Sequence, residues 1–154
     1  MKDILDKNRI ITPIYRDSKK AHIPNIEDYK KKYDYSTKNP DRFWIEQANR
    51  LNWYKKWNRV SNNDFSTAQI KWFEGGKLNA SYNCLDRHIE AGHGNQTAII
   101  WEGNDPTEDK FFSYSQLLTE VCKFANVLKS RGVTKGDKIC IYMQMIPELV
   151  IAML

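Results

Sequence analysis

Cys84, Asp86 and His88 fall within KWFEGGKLNASYNCLDRH, residues 71–88, and are the residues of this chain with the most chemical potential. A thiolate beside an imidazolium is a nucleophile, and Cys, His and Asp all ligate metals. On a helix, Cys84 and His88 share one face. Asp86 is turned roughly 200° from Cys84, since each helical residue advances ~100°. It therefore cannot join the other two directly. A structural zinc takes four ligands, and His22, His93, Cys122 and Cys140 show no ligand spacing around this pair. The expectation is that Cys84 packs in the core, as free cysteines commonly do, and that His88 makes a local hydrogen bond. A thiol or metal protein built on Cys84 and His88 is the minor alternative.

Other chemistry finds less support. GNDPTEDK (103–110) and TKGD (134–137) resemble phosphate or cation loops only loosely, because GxxxxGK[ST] and GxGxxG are both absent. They read as turns, with the carboxylates from Glu102 to Asp109 in a solvated hairpin loop. Nowhere does a nucleophile stand beside a general base with a third orienting group. No catalytic, cofactor-binding or metal residue is assigned in this chain.

Charge and composition place these residues in context. Residues 1–60 hold 15 lysines and arginines against 8 carboxylates, a net +7, whereas residues 61–154 hold 9 against 11, a net −2. The basic third also carries Trp44, Trp53 and Trp57, and aromatics among cations can stack on single-stranded nucleic acid. The competing expectation, preferred because no nucleic-acid-binding motif is present, is that the aromatics fasten this segment to a larger body. A stand-alone basic interaction module for a protein or a nucleic acid remains the second function class. At 154 residues and 41% hydrophobic, the chain can bury a core. Three cysteines without a CxxC argue against a disulfide framework and for a reducing, cytoplasmic setting. No signal peptide is visible at the N-terminus. The apolar run ICIYMQMIPELVIAML, 16 residues with Gln144, Pro147 and Glu148 inside it, is short of the roughly 20 needed to cross a bilayer.

The elements that must position these residues follow from capping and periodicity. Residues 1–24, with Pro13 and Pro24, read as an irregular arm. Asn25 caps a short helix through Tyr33. Asn39 and Pro40 open a second helix, NPDRFWIEQANRL, that places Phe43, Gln47 and Leu51 on one face. Ile70 and Trp72 alternate with Lys71 as in a half-buried strand ended by Gly75-Gly76. A helix runs from about Ala80 to Gly92. QTAIIWEG is a strand that pairs with Phe111-Phe112 across DPTED. SYSQLLTEVCKFANVLKSRG is a long helix with an S-x-x-Q capping box at Ser113 and Gln116 and a terminating Gly132. KICIYM has little polar alternation and reads as a strand covered on both faces. PELVIAML opens a helix at Pro147. A buried strand and helix call for a following strand, so Leu154 reads as a cut inside a larger unit.

The blocks PDRFWIEQANRLNW, KWFEGGKLNASYNCLDRH, TAIIWEG and SYSQLLTEVCKFANVLKSRGVTKGDKICIYMQMIPELVIAML, in that order, resemble the N-terminal part of an AMP-forming acetyl-CoA synthetase. The similarity runs from about Tyr29 to Leu154. It implies an α/β fold: the beginning of the large domain of an adenylate-forming enzyme, with layered sheets and flanking helices, truncated. Beyond the irregular arm over 1–24, which it does not cover, it implies a synthetase-type cap region over 25–92 and the start of an AMP-binding domain over 93–154. The parent chemistry would use ATP, Mg²⁺ and coenzyme A to convert acetate through acetyl-adenylate. The family's phosphate loop, acyl pocket, ribose-binding Asp, adenylation Lys and coenzyme A arginines would all lie beyond position 154. The remainder of the large domain would then be the chain's first partner. A propionate-type ligase is the close alternative, because the residues that size the acyl pocket would also lie outside.

Overall fold

The computed structural model describes residues 20–105 and 107–154, and they divide into two compact units, one ending at Arg50 and the other beginning at Leu51. Of the arm expected over 1–24, residues 1–19, including Pro13, lie outside the described residues.

The first unit is a pair of helices. α1 spans Ile26–Lys38, and the Asn25 side chain accepts the Asp28 N–H at 2.8 Å. Glu27 and Asp28 sit in its first turn, where the exposed N–H groups favour negative charge. The helix outlasts the expected end at Tyr33. Asp34 meets Lys38 at 3.3 Å, and the Ser36 and Thr37 hydroxyls donate back to the Tyr33 carbonyl. α2 spans Pro40–Ala48, with Pro40 at its first position; Asn39 occupies the cap but its side chain makes no capping bond. The helix stops before Leu51, so the expected Phe43–Gln47–Leu51 face is not continuous. Tyr35 ties the pair together. Its ring meets Phe43 edge-on, and its hydroxyl donates to Glu46 Oε1 at 2.7 Å.

The second unit begins with a small antiparallel sheet. β1 (Arg59–Ser61) and β2 (Trp72–Glu74) pair with Arg59 opposite Glu74. The expected strand is thus shorter, and Ile70 lies outside it, exposed. Beside this sheet the rings of Trp53, Trp57 and Phe73 meet at centroid distances of 4.9, 5.0 and 5.6 Å. Phe73 holds a left-handed backbone, φ 51°, a conformation uncommon for a bulky residue. The contact with both indoles offsets that cost. Gly76 is required here: a Cβ would lie 2.6 Å from the Trp53 ring.

A second antiparallel pair, β3 (Thr97–Glu102) and β4 (Asp109–Ser113), forms the expected hairpin, with a bulge between Thr97 and Ile99. α5 (Tyr114–Ser130) follows at once. Ser113 and Gln116 make the reciprocal capping box read from the sequence. Leu117 and Val121 project from α5 onto Leu85 to form the buried core, flanked by Ala98, Ile99, Phe112, Ile151 and Leu154. α5 ends in a Schellman turn. Val133 N–H donates to the Leu128 carbonyl and Gly132 N–H to that of Lys129, with Gly132 at φ 82°. A Cβ on Gly132 would meet no neighbour, so Gly132→Ala isolates the backbone term. It should cost about 1 kcal/mol in thermal unfolding, and Gly132→Asn less.

Beyond the turn, the expectation for KICIYM is not met. Lys138–Met143 is neither helix nor strand, pairs with no strand among the described residues, and is exposed. A strand needs a neighbour's N–H and C=O groups, and neither small sheet offers it an edge here. α6 (Pro147–Met153) starts at the predicted proline. Together the described residues form helices with two small antiparallel sheets.

Candidate functional site

The region around Cys84 is built by an interrupted helix. α3 (Ala80–Cys84) is capped by Asn79, whose side chain accepts the Tyr82 N–H. Leu85 leaves helical geometry at φ −122°, ψ −72°. Its carbonyl then accepts from His88 and Ile89 N–H, and α4 (Asp86–His88) starts again, running into a wide π turn over Ile89–His93. Gly92, at φ 86°, kinks that turn from within.

This break decides which side chains are buried. On one continuous helix Asn83 and Leu85 would point about 200° apart. Here both are inside, Leu85 at 1% exposure and Asn83 at 7%, while Cys84 between them is exposed. The expectation that Cys84 packs in the core is therefore overturned: the kink takes that place for Leu85 and turns the thiol outward. His88 also departs from expectation. Its ring lies 5.0 Å from that of Tyr114, tilted by 32°, so an aromatic contact stands where a local hydrogen bond was expected. Cys84 and His88 sit on separate helical segments.

Asn83 is the polar centre that sequence spacing did not single out. Its Oδ1 accepts the Asn52 N–H at 2.8 Å, and its Nδ2 donates to the Asn52 and Asn79 carbonyls at 3.0 and 2.9 Å. The amide thus clips the chain after α2 to α3. Nearby, the Tyr82 hydroxyl donates to Glu90 Oε2 at 2.7 Å, which raises the phenol's pKa by stabilising its protonated form. Cys122 and Cys140 are exposed, and His93 Nδ1 pairs with Gln96 Nε2 at 3.0 Å. Among the described residues, no three His, Cys, Asp or Glu side chains converge as metal ligands would.

The two loops that could suggest phosphate binding are turns, and their donors are engaged. Asp105 accepts the N–H and hydroxyl of Thr107, and Asp137 those of Thr134. A carboxylate occupies the position an anion would need. These bonds hold both aspartates below the ordinary carboxylate range, the backbone N–H being the largest cause. A depressed folded-state pKa stabilises above the unfolded value and is lost on acidification. The Thr107 and Thr134 amide resonances should therefore shift together as pH falls through and below 3.8, the ordinary Asp value, and stay fixed between about pH 5 and 8. Of the tryptophans in the basic third, Trp53 and Trp57 pack with Phe73, whereas Trp44 is exposed.

A further latch was not readable from spacing. Trp101 Nε1–H donates to the Met145 carbonyl at 2.7 Å, and Lys110 reaches Glu148 at 3.8 Å while lying 5.4 Å from the Trp101 ring centre. The hairpin thereby grips the chain just before and within α6. No described helix is long and apolar enough to cross a membrane.

Comparison with known proteins locates this architecture. Residues 29–84 match the family described as acetyl-coenzyme A synthetase N-terminus, and residues 85–154 match the AMP-binding enzyme family. The junction falls at the helix break. An acetyl-coenzyme A synthetase of Leptospira biflexa is 49% identical over 150 residues, 97% of this chain and 23% of the relative. Acetyl-coenzyme A synthetase 2 of Pseudomonas aeruginosa is 53% identical over 131 residues, 84% of this chain and 20% of its own length. An acetyl-coenzyme A synthetase of Syntrophobacter fumaroxidans is 48% identical over 145 residues, 94% of this chain and 22% of its own length. The chain thus spans about a fifth of the length of these relatives. With two adjoining family matches and about half its residues identical to synthetases throughout, the chain belongs to the AMP-binding enzymes, as the N-terminal region of their acetyl-coenzyme A synthetase branch.

Proposed function

We propose that the protein to which this chain contributes is an AMP-forming acetate–CoA ligase. It would join acetate to ATP as acetyl-adenylate, release pyrophosphate, and pass the acetyl group to the thiol of coenzyme A. The observation that carries this is the 49% identity with a synthetase over 97% of the chain. Mg²⁺, when bound in such an enzyme, neutralises the triphosphate. The described residues do not fit that role, since no ligand group converges and the turn donors face aspartates. No step of the reaction is therefore assigned to them.

The part this chain plays would be architectural. Residues 25–92 would form the synthetase-type cap region and residues 93–154 the beginning of a layered α/β domain, whose remainder carries the phosphate loop, acyl pocket and coenzyme A site. Three free, exposed thiols support a reducing, cytoplasmic setting.

Pyrophosphate exchange tests both levels. The 154-residue chain alone should exchange no labelled pyrophosphate into ATP with acetate, because no group among the described residues cradles a triphosphate. The same residues joined to the rest of the Leptospira biflexa synthetase should exchange it with acetate, and more slowly with propionate. Exchange by the chain alone would overturn the architectural role. A joined protein that prefers propionate would move the assignment to the propionate-type ligase.

A further inference from the structure

The second unit carries an open depression of about 840 Å³, walled by Trp53, Tyr54, Trp72, Phe73, Lys77 and Lys135. Sites for small ligands commonly measure about 300–1,000 Å³. Trp53 and Phe73 are set by their mutual contact at 5.6 Å. Trp72 and Tyr54, by contrast, are 42% and 71% exposed. Rings left this open offer a flat apolar surface to a planar group.

The polar part of the depression is cationic. No carboxylate lines it. Lys71, Lys110 and Lys123 each meet a glutamate elsewhere. Among the described residues, neither the Lys77 nor the Lys135 ammonium meets a carboxylate. Lys135 comes from the 134–137 turn, where Asp137 is engaged by the N–H and hydroxyl of Thr134. Lys77 stands directly across from Lys55, each donating its N–H to the other's carbonyl, at 2.8 and 3.1 Å. Like charges directly opposite each other destabilise such a pair. An anion beside Lys77 removes that cost.

We propose that this depression binds a nucleoside monophosphate, its base stacked on Trp72 and Tyr54 and its phosphate held by Lys77 and Lys135. The charge matches, since a phosphate monoester carries about −1.5 to −2 at neutral pH and two lysines face it. A triphosphate carrying Mg²⁺ does not match, because the lining has no carboxylate to share the metal. Selection among bases is weak. Stacking accepts any base, and Asn79, the only side-chain amide in the lining, has its oxygen committed to the Tyr82 N–H. The site is independent of the ligase reading, because its groups all lie in this chain and take no part in a reaction.

GMP is the probe, since AMP would also be a product of the proposed ligase. Followed by the indole N–H resonances and the amides of residues 72–79, the 154-residue chain should bind GMP saturably, with a Kd of about 1 mM or below. Guanosine and inorganic phosphate should each bind roughly tenfold more weakly or worse, because each keeps only one half of the contacts. Trp72→Ala should weaken GMP by roughly fivefold or more, and Trp72→Phe, which keeps a ring, should recover most of the loss. Lys77→Gln combined with Lys135→Gln changes exposed positions to which folding is insensitive. It should weaken GMP by roughly fivefold or more and leave guanosine unaffected. No saturable GMP binding, inorganic phosphate as tight as GMP, or GMP binding unchanged in the ring variant or the lysine variant overturns the site. The protein joined to the rest of the Leptospira biflexa synthetase should bind GMP within about threefold of the chain alone. Loss of binding there, with acetate-dependent pyrophosphate exchange intact, would show that the remaining chain fills the depression. That result overturns this proposal and leaves the ligase standing.

Discussion

Leu85→Ala should lower the thermal unfolding midpoint of the chain by roughly 10 °C or more. Leu85 is nearly fully buried and is the residue on which Leu117 and Val121 of α5 converge. Truncating such a leucine costs about 2–5 kcal/mol, made up of the lost transfer energy and the cavity left behind. The upper part of that range applies, because the core is small and its other wall is the β3–β4 hairpin through Ala98, Ile99 and Phe112. A second effect adds to it. Leu85 sits at the helix break, and its own burial fixes the non-helical backbone there. With alanine, 80–88 is free to run as one helix, which would rotate Asn83 away from Asn52. Leu85→Met, similar in volume, should cost less than about 1.5 kcal/mol. An alanine variant melting within a degree or two of the parent would show that the three-residue core is not what holds the second unit together.

Asn83→Asp is the other large effect, and its sign depends on pH. Asn83 both accepts and donates, and its two donated bonds end on carbonyl oxygens. A carboxylate keeps the acceptor but turns both donor positions into contacts between negative oxygens in a buried place. At neutral pH the variant should lose about 2 kcal/mol or more, since leaving buried polar groups unpaired costs about 1–3 kcal/mol and charge adds to it. Burial and the facing carbonyls would raise the folded-state pKa of the new aspartate above its unfolded value. The deficit is therefore present at neutral pH and shrinks as pH falls through that raised value, because the protonated acid can donate to one carbonyl again. Denaturant unfolding of parent and variant at pH 7 and pH 5 measures this. A gap between them that does not narrow at pH 5 would show that the Asn83 donors contribute nothing.

The chemistry of KWFEGGKLNASYNCLDRH was legible only in part. Ligand counting by itself argued against a metal centre. The same letters did not reveal that Cys84 is exposed while Asn83 is buried, because a period of 3.6 assumes a helix that is not interrupted. The break at Leu85 comes from a demand made by distant residues, the α5 face and the Asn52 backbone, and local spacing carries no record of either. The Trp101–Met145 bond, between residues 44 positions apart in sequence, was invisible for the same reason.

By itself, the sequence determined the features set within a few residues. These were the Asn25 cap, the Ser113–Gln116 box, the Gly132 turn, the 97–113 hairpin and the start of α6 at Pro147. Each is a short-range bond or a dihedral preference, complete once its own few residues are known. The family was equally legible, since block order is a property of the chain. Only the tertiary structure decided where the helix 80–93 breaks, which side of it is buried, and that KICIYM pairs with no strand among the described residues. Those outcomes depend on surfaces brought together from far along the chain, and a strand in particular is defined by a neighbour's backbone and not by its own letters.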